Sequence, residues 1–135
     1  MEKLNTVMLI DDMEADNYIN RLMIESMNIA ERVVDFEYAE KALEYLNSED
    51  RPGVDVIFLD INMPRMDGFE FLDEYKNLDP QLKSKVVVIM LTTSMAQYDR
   101  ERAKTYADLD DFQNKPLSRD SLREMLNKHF SWELH

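Results

Sequence analysis

Three short apolar runs constrain this chain more than any other feature: Val7 to Ile10 before Asp11, Val54 to Leu59 before Asp60, and Val86 to Leu91 before Thr92. Each ends in a polar or acidic residue. Apart from Asp55 the runs are unbroken instead of alternating, as expected for strands covered on both faces in a parallel sheet. Weaker strands are expected at Val33 to Tyr38 and Leu109 to Asn114.

Between these runs apolar residues recur at spacings of three and four, the mark of a helix with one inward stripe. Ala15, Tyr18, Ile19, Leu22, Met23 and Met27 form one such stripe, and Ala39, Ala42, Leu43 and Leu46 another. A third helix is expected after Gly68, using Phe69, Leu72 and Tyr75, and a fourth from about Ala96 to Tyr106. The last opens at Ser118, an N-cap residue type just after Pro116, with Leu122, Met125, Leu126 and His129 as its inner stripe. Asn47 to Gly53 and Asn77 to Lys85 read as solvated connections. Five βα units predict an α/β fold: a doubly wound five-stranded parallel sheet in the flavodoxin-like order 2-1-3-4-5, with helices on both faces.

At 135 residues the chain fits a single domain spanning residues 1–135, with no effector domain expected. Its formal net charge of −12 argues against DNA and anionic membranes as partners. The absence of cysteine excludes disulfides and thiolate metal sites. The N-terminal MEKLNTVMLIDD has too short an apolar run for a signal peptide, and no run is long enough to span a membrane, so a cytoplasmic location is expected.

In such a sheet the carboxyl ends of strands one, three and four meet at one edge. Asp11, Asp12, Asp60, Thr92 and Thr93 should converge there, joined by Lys115 just past strand five. Three clustered carboxylates raise one another's pKa unless a cation neutralises them. Oxygen ligands without His or Cys suit Mg²⁺. The set is equipped for phosphoryl transfer to a carboxylate, with Asp60 as nucleophile, Asp12 holding the metal and the Lys115 ammonium neutralising the phosphoryl oxygens. Lys115 should bridge Asp60 at rest, and Thr92 should donate its hydroxyl after transfer.

These residues resemble the receiver domains of two-component response regulators over essentially the whole chain. The acidic pair Asp11 and Asp12, the run Leu59-Asp60-Ile61-Asn62-Met63-Pro64-Arg65-Met66-Asp67-Gly68, the run Leu91-Thr92-Thr93-Ser94 and the pair Lys115-Pro116 carry the likeness. The resemblance implies Mg²⁺ held by Asp12, Asp60 and the backbone carbonyl of Asn62, with Asp11 acting mainly through water. It implies phosphorylation of Asp60 by a sensor histidine kinase or a histidine phosphotransfer protein, and a cis bond before Pro116. It also implies a switch in which Thr92 moves toward the phosphoryl group and an aromatic, here Phe112, swings inward. That movement reshapes the face of helix four, strand five and helix five, for an unidentified target protein or for onward phosphotransfer.

Some features leave alternatives open. Thr93 is a second candidate for the switch hydroxyl, because Thr92 lies one residue farther from Lys115 than expected, and Phe112 also suits an ordinary edge aromatic. Leu117 follows Pro116 where the family commonly has phenylalanine, and the stretch Ala107 to Asp111 lacks the usual glycines. His129 and His135 read as structural, the run Asp108 to Asp111 as a solvated loop, and Ser94 and Asn62 as neighbours able to tune hydrolysis. Two rival classes are an aspartyl-phosphate phosphatase and a degenerate receiver that binds partners without phosphorylation. The first normally carries a second acid where this chain has Asn62, and the second normally lacks an acid or the lysine, all of which are present here.

Overall fold

Parallel pairing of five strands brings the ends of the apolar runs to one edge of the molecule. The computed structural model describes residues 3–83, 85–93 and 97–132. In chain order the elements are β1 (Leu4–Ile10), α1 (Glu14–Met27), β2 (Ala30–Phe36), α2 (Ala39–Leu46), β3 (Val56–Asp60), α3 (Gly68–Tyr75), a 3₁₀ turn (Pro80–Lys83), β4 (Val87–Thr92), α4 (Gln97–Ala103), β5 (Asp111–Asn114) and α5 (Arg119–Phe130). All pairings are parallel and the order is β2-β1-β3-β4-β5, as expected.

The interior strands explain the near-continuous apolar runs, with β3 starting at Val56, just past Asp55. Met8, Ile10, Ile57, Leu59, Val88 and Met90 pack in one core with Ala42 and Leu46 of α2 and Phe69, Phe71 and Leu72 of α3. Val7, Leu9, Val56, Phe58, Ile89 and Leu91 pack in a second core with Ile24 of α1 and Leu122, Met125 and Leu126 of α5. Alternate residues of each strand thus serve opposite faces, and neither face reaches water.

The edge strands depart from the expected limits. β2 begins at Ala30 and ends at Phe36 instead of running from Val33 to Tyr38, because its register starts at Leu4↔Ala30 and closes at Ile10↔Phe36. An edge position tolerates the exposed Glu31 and Arg32, which hid the start of the strand from an apolar-run criterion. β5 begins at Asp111, two residues later than expected. Just before it, the Asp110 N–H donates to the Val88 carbonyl at 2.8 Å, and the Asp110 carboxylate accepts the Val88 N–H at 2.8 Å. The acidic run read as a solvated loop therefore closes the end of a strand pair.

α4 stops at Ala103, short of Tyr106, and the chain then turns through Thr105 and Tyr106 N–H bonds to the Arg102 and Ala103 carbonyls. Its expected start at Ala96 lies outside the described residues, as do Ser94 and His135. The connection from Asn77 to Lys85 contains the 3₁₀ turn. Ser118 caps α5 as expected, in a reciprocal pair with Ser121.

α1 reverses the expected stripe. Tyr18, Ile19 and Leu22 are 61%, 50% and 47% exposed, Ala15 is exposed, and Met23 and Met27 are half-buried. The buried residues are Asn17, Asn20 and Ile24. Two amides turn the helix this way: Asn17 Nδ2 donates to the Asp11 carbonyl at 2.9 Å, and Asn20 Oδ1 accepts the Leu117 N–H at 3.0 Å. Those bonds fasten α1 to the two loops that carry Asp11 and Lys115. Among the described residues no helix is long and apolar enough to cross a membrane.

Asn20→Ala should leave the Leu117 N–H without its acceptor and cost about 1–3 kcal/mol in urea unfolding. Ile19→Ser, at a position 50% exposed, should change stability by no more than about 0.5 kcal/mol. A neutral Asn20→Ala would contradict the inward orientation of the amides.

Candidate functional site

The strand register sets the site. Ile10 pairs with Leu59, so Asp11 stands level with Asp60. Asp60 pairs with Leu91, so Thr92 comes one step later on the next strand. The Lys115 N–H donates to the Thr92 carbonyl at 2.9 Å, which places the lysine beside that step, and the Lys115–Pro116 bond is cis.

One carboxylate oxygen from each of Asp11, Asp12 and Asp60 lies within 4.8 Å of the others. Asp11 and Asp60 are buried, Asp12 is half-buried. The Lys115 Nζ stands 2.5 Å from Asp11 Oδ2, 3.1 Å from Asp16 Oδ2 and 3.3 Å from Asp60 Oδ1. The lysine does approach Asp60, but its shortest contact is to Asp11, and Asp16 was not anticipated. Asp11 Oδ1 is also engaged, accepting the Met13 N–H at 2.9 Å.

Thr92 is buried at the end of β4, whereas Thr93 is exposed and lines a small groove with Asp16, Ile19, Asn20, Lys115 and Pro116. The Asn62 side chain is exposed in the loop after β3. Phe112 is 39% exposed on β5. Beside it Asp111 is bound twice to α5, by Lys128 Nζ at 3.0 Å and His129 Nε2 at 2.9 Å. Burial works to raise the Asp111 pKa, but the His129, Phe112 N–H and Lys128 contacts outweigh it and hold it below the usual carboxylate value. His129, read as a stripe residue, thus ties α5 to β5.

Gly68 opens α3 directly against the Asp60 backbone. A Cβ there would stand 2.6 Å from the Asp60 carbonyl oxygen and 3.0 Å from Ile61 Cα, so the close approach excludes any side chain. The Asp67 side chain caps the helix, accepting the Glu70 N–H at 2.8 Å.

Charge at this edge does not cancel. Burial, then the Asp11 charge, raise the Asp60 pKa to about 6 against the opposing pull of Lys115. Burial also raises Asp11. Burial works to lower Lys115, but its bond to Asp11 and the charges of Asp60 and Asp11 outweigh that and push it upward. An oxygen-only acid cluster with surplus negative charge fits a hard divalent cation such as Mg²⁺.

Residues 7–127 match the response regulator receiver domain family. The chain belongs to that family. It is 30% identical over 129 residues to hybrid signal transduction histidine kinase L of Dictyostelium discoideum, covering 93% of this chain and 7% of that protein. It is 30% identical over 126 residues to two-component response regulator ORR1 of Oryza sativa subsp. japonica, covering 90% of this chain and 53% of that protein. The chain spans 6% to 13% of the length of the kinases it matches among these relatives. Among solved structures it is similar to a two-component response regulator from Cytophaga hutchinsonii, with TM-score 0.84 and 28% identity over 97% of this chain and 100% of that one. A receiver protein from Dyadobacter fermentans gives TM-score 0.82 and 27% identity over 93% and 97% of the two chains. Receiver domains are phosphoacceptors that bind Mg²⁺ at an acidic pocket, and Asp11, Asp12 and Asp60 form an acidic cluster here.

The raised Asp60 pKa has a stability consequence in the metal-free protein. The folded state binds the proton more tightly than the unfolded chain, so this contribution is full below about pH 4 and is lost as pH rises through about 6. Asp60→Asn should therefore be more stable than wild type by roughly 2 kcal/mol at pH 7 and nearly equal at pH 4, measured by urea unfolding in chelator. Equal stability at pH 7 would show that Lys115 fully neutralises the cluster.

Proposed function

We propose that this chain is a phosphorylation switch in which Asp60 accepts a phosphoryl group from the phosphohistidine of a sensor histidine kinase or a histidine phosphotransfer protein. The observation that carries this reading is the meeting of Asp11, Asp12, Asp60 and Lys115 at one edge of the sheet. An Asp60 carboxylate oxygen attacks phosphorus, the bond from phosphorus to the donor imidazole nitrogen breaks, and an acyl phosphate forms. Mg²⁺, held by Asp12, Asp60 and the Asn62 backbone carbonyl, would neutralise charge on the equatorial oxygens when bound. Asp11 suits an indirect role through water, since one of its oxygens already accepts the Met13 N–H and the other the Lys115 ammonium.

After transfer Lys115 exchanges carboxylate oxygens for phosphoryl oxygens, and the Thr92 hydroxyl donates to another. Thr92 is favoured over Thr93 because it is buried on the sheet edge beside the lysine backbone. The exposed Phe112 ring lies on the strand that ends at Lys115, which suits a part in reshaping the α4, β5 and α5 face for output. The exposed Tyr18, Ile19 and Leu22 lie on α1 next to the site and suit contact with the phosphodonor protein.

Incubation with Mg²⁺ and acetyl phosphate should add one phosphoryl mass to the intact chain, and the adduct should be absent with chelator or in Asp60→Asn. Wild-type incorporation in that variant would remove Asp60 as the nucleophile. Lys115→Ala should keep Mg²⁺ binding while amide shifts on beryllofluoride addition no longer spread to Thr92 and Phe112. A complete loss of Mg²⁺ affinity would mean that the lysine is needed to build the acid cluster.

A further inference from the structure

Asp16 lies on the first turn of α1, five residues beyond Asp11 and outside the acid triad, yet its Oδ2 sits 3.1 Å from the Lys115 ammonium. Of the three carboxylates around that ammonium, Asp11 and Asp60 belong to the triad that would hold a divalent cation, and Asp16 does not. A cation held by Asp60 directly and by Asp11 through water competes with the lysine for the same two carboxylates. An ammonium with partners in the triad alone would oppose the metal. One with an outside acceptor can yield them and still keep a partner.

The geometry permits the exchange. The Lys115 backbone is fixed by its N–H bond to the Thr92 carbonyl, so the ammonium moves by rotation of a flexible four-carbon stem. Asp16 reaches it from α1, which the buried amides of Asn17 and Asn20 hold against both loops of the site. Its side chain is 38% exposed, against 5% for Asp11 and 10% for Asp60, so it is the partner that stays hydrated.

We propose that Asp16 is a positioning residue for Lys115: it receives the ammonium at the α1 side of the site while the triad binds its cation, and so lowers the penalty for metal entry. The inference rests on the phosphoacceptor reading above and adds a residue to it. Asp16 acts on the metal through the lysine, not by contact.

A double-mutant cycle separates this from a diffuse charge effect. Mg²⁺ affinity would be titrated calorimetrically on wild type, Asp16→Asn, Lys115→Ala and the double variant, with Asp16→Glu as conservative control. Asp16→Asn should bind Mg²⁺ about fivefold more weakly, the same substitution should have less than about a twofold effect once Lys115 is absent, and Asp16→Glu should restore most of the affinity. An unchanged affinity in Asp16→Asn, or equal weakening with and without Lys115, would overturn the role of Asp16 while leaving the phosphoacceptor reading intact. Failure of the wild type to bind Mg²⁺ would remove that reading itself, and this inference with it.

Discussion

One ammonium serves three carboxylates at the carboxyl edge of the sheet, and a fourth, Asp12, stands close by. That imbalance of charge in a place mostly shielded from water is what the surrounding architecture maintains. Parallel pairing brings Asp11 and Asp60 level, and a slip of one residue would turn one of them to the opposite face. The amides of Asn17 and Asn20 hold the loops on either side of the cluster. Gly68 lets α3 begin against the Asp60 backbone, where any side chain would force the helix away. Each device has a structural cost that an ordinary core would avoid: two polar side chains inside a helix interface, a carboxylate with a raised pKa, and a glycine at the start of a helix.

The central strands were readable from sequence because burial on both faces leaves an unbroken apolar signal, and the acid or hydroxyl at each run's end marked the functional edge. β2 and β5 were less readable, since edge strands admit Glu31, Arg32 and Asp111 without penalty. α1 misled for a different reason. Its apolar residues do share a face, but pairing of Asn17 and Asn20 with loop backbone outweighs the burial of Tyr18, Ile19 and Leu22. Periodicity locates a stripe without saying whether protein or solvent covers it.

The meeting of Asp11, Asp12, Asp60 and Lys115 at one edge was legible in the sequence, and the lysine's full set of partners was not. Sequence order pairs Lys115 with Asp60 by analogy of role, whereas the loop geometry also presents Asp11 and Asp16. Asp16 carries no motif, and its contact depends on the pitch of α1 relative to the Lys115–Pro116 loop. The acids Asp110 and Asp111 are a parallel case: one completes the β4 edge through Val88, the other anchors α5 through Lys128 and His129. Runs of acids are compositionally alike, so only their backbone neighbours distinguish a solvated loop from a hydrogen-bonded one.

The outward apolar face of α1 also bears on how copies of this chain meet one another. Tyr18, Ile19 and Leu22 would be adhesive on a neutral particle, but each molecule carries a formal charge of −12. Like-charged copies repel at distances up to the Debye length, about 8 Å at physiological ionic strength, before short-range apolar contact begins. The same field draws in a surface of opposite sign. Colloidal repulsion thus opposes self-contact through the exposed helix, and added salt weakens that opposition.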